Sequence, residues 1–398
     1  MVDRAIDLSC AKCGACTVVC PVFRVDPRES LTARGKMHLL SLPFVGAPSR
    51  HFQDIFSQCL LCGACEQACS RHLPITTLIT RARGRFPQFY GAHPLQKTVV
   101  RKVLASSGLL ANLVRAGISL QRINALPVRS GLRLKLGLLE APVAEVVEKE
   151  TCYGGKTGND LSYFPGCLAR YLQPSVAAAT VRLAEIAGYS LDVPAAQGCC
   201  GLAARAAGRE DEARELAWNN IQAFAESTGP ILTSCASCSS HLATYPDLFQ
   251  DDPEKSVKAR EFAGRVIEFC TFFLEQSDLK PSSRQALKVF YHDPCHLRHR
   301  DWGRDNPRKL IDRIDNVERV ESPAGPQCCG QGGLFQLGYP ETSAGIFQRC
   351  ADNGLGCAPD LVVTTCSGCL MQWQQGKVEH DLPLAVSHLA ILLADCLD

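Results

Sequence analysis

Beyond residue 160 the chain alternates short apolar runs with longer amphipathic stretches. Residues 161–164, 190–193 and 231–233 are short stretches of strand length carrying apolar positions, while 175–187 and 209–226 space their apolar positions as helices do. Residues 287–291, 317–320 and 361–364 take the same strand roles further on. Strands alternating with helices predict parallel α/β units. The first third reads differently. Residues 29–42 combine helix formers with apolar positions at Leu31, Met37, Leu39 and Leu40, so a helical domain is expected there. Residues 99–120 are largely apolar but broken by Arg101, Lys102 and Arg115. No uninterrupted apolar run reaches the roughly 18 residues of a membrane-spanning helix.

With 398 residues the chain exceeds one ordinary core, and two or three domains are expected. Its 46% apolar and 21% charged content is that of a folded protein. A net charge of +2 gives no global argument for nucleic acid, although residues 81–139 hold eleven Lys or Arg and no acid. Such a basic amphipathic segment suits an anionic membrane surface, the docking face of another subunit, or packing on its own domain. No aromatic-interleaved basic motif accompanies it, so nucleic acid is not expected.

The 23 cysteines change the picture most. The start, Met1-Val2-Asp3-Arg4, lacks the basic-then-apolar order of a secretory leader, so reduced, metal-binding thiols in the cytoplasm are expected, with peripheral contact at the inner face of the membrane as an option. Cys10, Cys13, Cys16 and Cys20 form C-x2-C-x2-C-x3-C with Pro21 next. Cys59, Cys62, Cys65 and Cys69 repeat that spacing, with Ser70 in the proline position. In two-cluster ferredoxins three thiolates of a run hold one cube and the fourth serves the other. One [4Fe–4S] cluster is therefore expected on Cys10, Cys13, Cys16 and Cys69, the other on Cys59, Cys62, Cys65 and Cys20. Zinc also takes four thiolates, but usually from two separated C-x2-C knuckles rather than one continuous run. The small residues Gly14, Ala15, Gly63 and Ala64 suit tight loops around the clusters.

The second half is a duplication. Cys167, Cys199-Cys200 and Cys235-x2-Cys238 recur as Cys295, Cys328-Cys329 and Cys366-x2-Cys369, with similar flanking residues. Each cysteine follows the carboxyl end of an expected strand, the edge where α/β sheets gather ligands. Adjacent cysteines in a bent turn suit a grip on a cluster. Structural zinc and inert burial are the alternatives.

These residues resemble the CCG-domain iron–sulfur proteins, which include heterodisulfide reductase subunits, the anaerobic glycerol-3-phosphate dehydrogenase anchor and the iron–sulfur subunits of glycolate and lactate oxidases. Arg34-Gly35-Lys36-Met37 and Trp218-Asn219-Asn220 support the likeness, and order and length look most like the glycolate oxidase subunit. The resemblance implies an α+β multidomain chain: a helical ferredoxin-like domain with two clusters over 1–90, a basic segment over 91–158, and α/β CCG repeats over 159–282 and 283–398. It implies a separate FAD subunit that oxidises a 2-hydroxy acid, glycolate or lactate, and passes electrons through this chain to quinone or another acceptor. It further implies one or two more [4Fe–4S] clusters, noncubane in some relatives, at the ten repeat cysteines. Because both five-cysteine sets are complete, a heterodisulfide-reductase-like enzyme acting on a disulfide or small acceptor is the alternative. A scaffold with zinc in the repeats is the third.

Among the remaining features, His292, Asp293 and His296 flank Cys295. They read as hydrogen-bonded strand-end residues ahead of proton donors or tuners of a cluster. Cys152, Cys270, Cys350, Cys357 and Cys396 lie outside the motifs and are expected mostly as small buried residues. Gly154-Gly155-x-x-Gly158 is too weak for a nucleotide site.

Overall fold

A computed structural model describes residues 10–42, 49–85, 94–122 and 160–397. Cys152, the 154–158 glycines and much of the basic segment lie outside these residues. The chain divides into two compact units.

The first unit comprises residues up to 101 together with 203–210 and 327–350. Its described residues contain helices and no strand, as expected for the N-terminal domain. In chain order these begin with α1 (Ala15–Val19), α2 (Ala33–Ser41), α3 (Arg50–Ser57), α4 (Ala64–Gln67) and α5 (Ile75–Gly84). The helical stretch expected over 29–42 is divided at Thr32 into a 3-10 turn, Glu29–Leu31, and α2. Thr32 is extended, and its hydroxyl accepts from the Gly35 amide at 3.0 Å, so it serves better as an N-cap than as an interior residue. Ser49 caps α3 in the same way through the Phe52 amide. Met37, Phe52, Ile55, Phe56, Leu78 and Ile79 form the core, joined by Ala207 and Leu334 from the two later segments. Each such large side chain contributes about 1.5–3 kcal/mol on burial.

The second unit holds two four-stranded parallel sheets of identical order, β2-β1-β3-β4 and β6-β5-β7-β8. The strands are β1 (Asp160–Tyr163), β2 (Ser190–Asp192), β3 (Ile231–Thr233), β4 (Val266–Glu268), β5 (Ser282–Tyr291), β6 (Asp315–Val320), β7 (Leu361–Thr364) and β8 (Ala385–His388). The six strands expected from sequence are present, and β4 and β8 complete the sheets. The central strands β3 and β7 are buried along their whole length, which is why they are short runs of apolar and β-branched residues.

One continuous core spans both sheets, with the helices Pro174–Ile186 and Leu389–Asp395 packed on each other. The ends of β3 and β7 meet through a backbone bond from the Ala236 amide to the Thr365 carbonyl, 2.8 Å. Each flank repeats one device: Tyr163 bonds Ser234 at 2.7 Å, and Tyr291 bonds Thr365 at 2.9 Å. His388, fully buried, bonds the Ser234 carbonyl through Nε2.

Candidate metal centres

In the first unit the chain curls twice in the same way. Lys12 and Leu61 both adopt φ 55°, Gly14 and Gly63 follow at φ 84° and 77°, and a short helix begins at once. Left-handed backbone at both positions turns the amides inward, and the Lys12 and Leu61 amides each reach a thiol (Cys10 and Cys59) at 3.4 Å. Such amide–sulfur bonds are what a polynuclear thiolate site needs around it.

Two cavities result. Cys10, Cys13, Cys16 and Cys69 line one, and Cys20, Cys59, Cys62 and Cys65 line the other. Helix α1 sends Cys16 to the first and, one turn later, Cys20 to the second; α4 does the reverse with Cys65 and Cys69. The structure thus brings the eight cysteines into two exchanged groups of four. Burial pushes the Cys16, Cys20 and Cys65 thiols up, and neighbouring thiolates push them further. A cationic iron core reverses that balance, because a bound metal deprotonates its thiols. The donor set therefore fits a [4Fe–4S] group at each cavity.

Helix α2 separates the cavities. Arg34 and Met37 line the first and Lys36 the second, while Ala33 touches both. Arg34 bonds Glu29 at 2.6 Å near the surface. Lys36 is buried, donating to the Leu31 and Gln58 carbonyls. Burial pulls the Lys36 ammonium below the ordinary lysine range, and the Cys59 and Cys20 sulfurs oppose that shift. Arg83, also buried, donates to the Phe56, Ser57 and Cys59 carbonyls and so closes the end of α3.

In the second unit the first repeat gathers its five cysteines beyond the strand ends. Cys167 donates to Cys199 at 3.9 Å, and thiol-to-thiol bonds continue from Cys199 to Cys200, to Cys238 and to Cys235. Hydrogen bonds from Cys167 and Cys200 hold the Cys199 thiol well below its usual range. Bonds to Cys200 and Cys235, with burial, push Cys238 up. A contiguous set of five soft donors fits a metal cluster, whereas inert buried cysteines have no reason to converge.

Asn220 fixes this loop. Its side chain accepts from the Gly198 amide at 2.8 Å and donates to the Cys199 carbonyl at 2.9 Å, while Tyr245 donates to the Cys200 carbonyl at 2.8 Å. In the sequence Asn220 stands only within Trp218-Asn219-Asn220, which supports the family likeness. No local pattern marks it, because its partners lie some twenty residues back in the chain.

In the second repeat, Cys295, Cys366 and Cys369 belong to the second unit, and Cys328 and Cys329 to the first. Cys366 and Cys369 are buried at the start of the helix Ser367–His380. The thiol chain of the first repeat extends from Cys235 to Cys366 and on to Cys369. Ser237 stands beside it, 3.2 Å from the Cys366 sulfur and 2.8 Å from His296 Nδ1. His292 is buried edge-on against Trp373, and Asp293 forms a two-pronged bond with Arg308 at 2.7 and 2.8 Å. Of the spare cysteines, Cys270, Cys350 and Cys396 are buried and Cys357 is half-exposed.

A 4Fe-4S dicluster domain model matches residues 8–73, and a cysteine-rich (CCG) domain model matches 161–243 and 289–374. The chain is 30% identical to a probable glycolate oxidase iron-sulfur subunit of Bacillus subtilis (strain 168), over 99% of this chain and 94% of that one. It is 30% identical to lactate utilization protein A of Geobacillus kaustophilus over 58% of this chain and 98% of the relative. It is 26% identical to one subunit of the fumarate reductase (CoM/CoB) of Methanothermobacter marburgensis, over 90% of this chain and 66% of that protein.

Proposed function

Because the chain belongs to the CCG-domain iron–sulfur family that includes the glycolate oxidase iron-sulfur subunits, we propose that it is the electron-transfer subunit of an FAD-linked 2-hydroxyacid dehydrogenase. The observation that carries this reading is the exchange of Cys20 and Cys69 between two neighbouring four-thiol cavities, the arrangement of a relay. In it, Cys10, Cys13, Cys16 and Cys69 hold one [4Fe–4S] cluster, and Cys59, Cys62, Cys65 and Cys20 the other. Cys167, Cys199, Cys200, Cys235 and Cys238 hold a third. Cys295, Cys328, Cys329, Cys366 and Cys369 make the fourth ligand set. The clusters supply one-electron carriage, and the protein's part is to fix the thiols, exclude water and set the charge around them.

Glycolate or lactate is oxidised on the flavin subunit, and quinone or another acceptor takes the electrons. We read the chain as a dicluster domain over 1–90, a basic segment over 91–158 and repeats over 159–282 and 283–398, working in the cytoplasm. Among the described residues no helix is long and apolar enough to cross a membrane. The helices Pro94–Ala105 and Ser107–Arg122 expose Leu95, Val99, Leu109 and Leu113 in a stretch free of acids. Each basic, apolar helix suits docking to the flavin subunit or peripheral contact with the membrane.

Anaerobic co-purification tests the reading. A flavoprotein companion is expected, with cluster reduction when glycolate or lactate is added to the complex. Hydroxyacid oxidation by this chain alone, with a dye as acceptor, overturns it. Zinc in the preparation, with iron for only the first two clusters, supports the scaffold reading instead.

A second reading rests on Ser237 and His296 beside the Cys366 sulfur, a hydroxyl–imidazole pair placed to carry a proton to a thiol. It makes the chain a disulfide-splitting enzyme of the heterodisulfide-reductase kind. Substrate thiol that leaves every paramagnetic cluster signal unchanged removes its ground.

A further inference from the structure

We propose that Lys36 sets the reduction potential of one cluster of the dicluster domain, the one at Cys20, Cys59, Cys62 and Cys65, and leaves the other nearly untouched. The inference rests on the reading that those four cysteines hold a cluster. Lys36 is 1% exposed, lines that cavity, and has Cys59, Cys20 and Cys65 as its electrostatic neighbours. Its Nζ donates to two backbone carbonyls, of Leu31 and Gln58, and among the described residues it has no carboxylate partner. A buried ammonium persists only where a counter-charge compensates its lost hydration. The anion available to it is the cluster with its thiolates.

The first cavity differs. Its lining cations, Arg34 and Arg71, lie at or near the surface and are screened by solvent, and Arg34 is bonded to Glu29 at 2.6 Å. Arg83, the other buried cation near the second cavity, is committed to the carbonyls of Phe56, Ser57, Cys59 and Ala206. Lys36 is therefore the charge that can be changed at one cluster alone.

Reduction of a cubane cluster takes one electron, here from the flavin partner, with no bond made or broken and no proton taken up. The core and its four thiolates pass from dianion to trianion. A fixed positive charge in a low-dielectric interior favours the trianion over the dianion, so Lys36 raises the potential that burial lowers. Lys36 thereby offsets, at this cluster, the lowering that burial brings.

The test is a redox titration of the full chain followed by low-temperature paramagnetic resonance. The wild type is compared with Lys36→Gln and Lys36→Arg, and Cys13→Ser and Cys62→Ser assign the two signals. In Lys36→Gln the reduced-to-oxidised ratio of the Cys20–Cys59–Cys62–Cys65 cluster at fixed ambient potential should fall about tenfold, which is about 59 mV for a one-electron couple. The other cluster should change less than about twofold, and Lys36→Arg should restore the ratio. Equal shifts at both clusters, or no shift, overturn the proposal. Should Lys36→Gln not load iron, double resonance on the wild-type protein decides. Exchangeable ammonium protons must couple to this reduced cluster and not to its neighbour, and their absence overturns the proposal. A wild-type protein with no [4Fe–4S] signal at either cavity refutes the underlying cluster reading instead.

Discussion

The two Cys-Cys-Gly loops have nearly the same backbone and different supports. Gly201 and Gly330 follow their cysteine pairs at φ 91° and 85°, and each amide reaches the first thiol of the pair, at 3.5 and 3.4 Å. In the first copy Asn220 and Tyr245 hold the loop by its amide and carbonyls. In the second, the loop is pressed against backbone: a Cβ on Gly330 would stand 2.6 Å from the Ser343 carbonyl oxygen, and the Ser343 hydroxyl donates to the Gly330 carbonyl at 2.9 Å. The corresponding space at Gly201 is wider, with its nearest neighbour, the Ala213 carbonyl oxygen, at 3.4 Å. The register that matches Ala213 to Ser343 puts Cys350 where Asn220 stands. Duplication thus preserved the turn and its thiols, while an amide clamp in one copy corresponds to a close backbone contact in the other.

That contrast can be broken experimentally. Gly330→Ala combines left-handed strain with a backbone clash and should cost about 3–5 kcal/mol. Asn220→Leu, which leaves a buried amide and carbonyl without their partner, should cost about 2–3 kcal/mol and release iron from the first five-cysteine set while sparing the dicluster signals. Gly201→Ala meets only the backbone strain and should lose about 1–2 kcal/mol. Tyr245→Phe removes the bond to the Cys200 carbonyl and the one accepted from the Asn220 amide, for about 1–2 kcal/mol. Urea unfolding, followed on the phase belonging to the mutated unit, reads the stability changes, and metal analysis reads the iron. Equal losses for the two alanine variants would erase the distinction between the loops.

The outline of both sheets was legible because strands buried on both faces are written as compact apolar runs, as at 231–233 and 361–364. β4 and β8 were not, since Val266–Glu268 and Ala385–His388 are short edge strands with polar residues among the apolar ones. The grouping of the eight N-terminal cysteines was expected from their spacing read with the ligand exchange of two-cluster ferredoxins, and the same groups line the two cavities. Lys36 and Asn220 stayed hidden for a different reason. Lys36 bonds residue 58 and Asn220 bonds residue 199, and no local pattern records such distant partners. For the same reason nothing in the sequence marks 203–210 and 327–350 as part of the first unit.

Assembly of that unit from distant segments constrains its synthesis. A core that takes Ala207 and Leu334 into contact with Phe52 and Ile79 cannot close while those residues are still unmade. At roughly 5–20 residues per second, the thiols at positions 10–69 leave the ribosome some tens of seconds before the segment that finishes their domain. The oldest cysteines in the nascent chain therefore wait through most of its synthesis for their unit to close, and iron delivery has that interval in which to reach them.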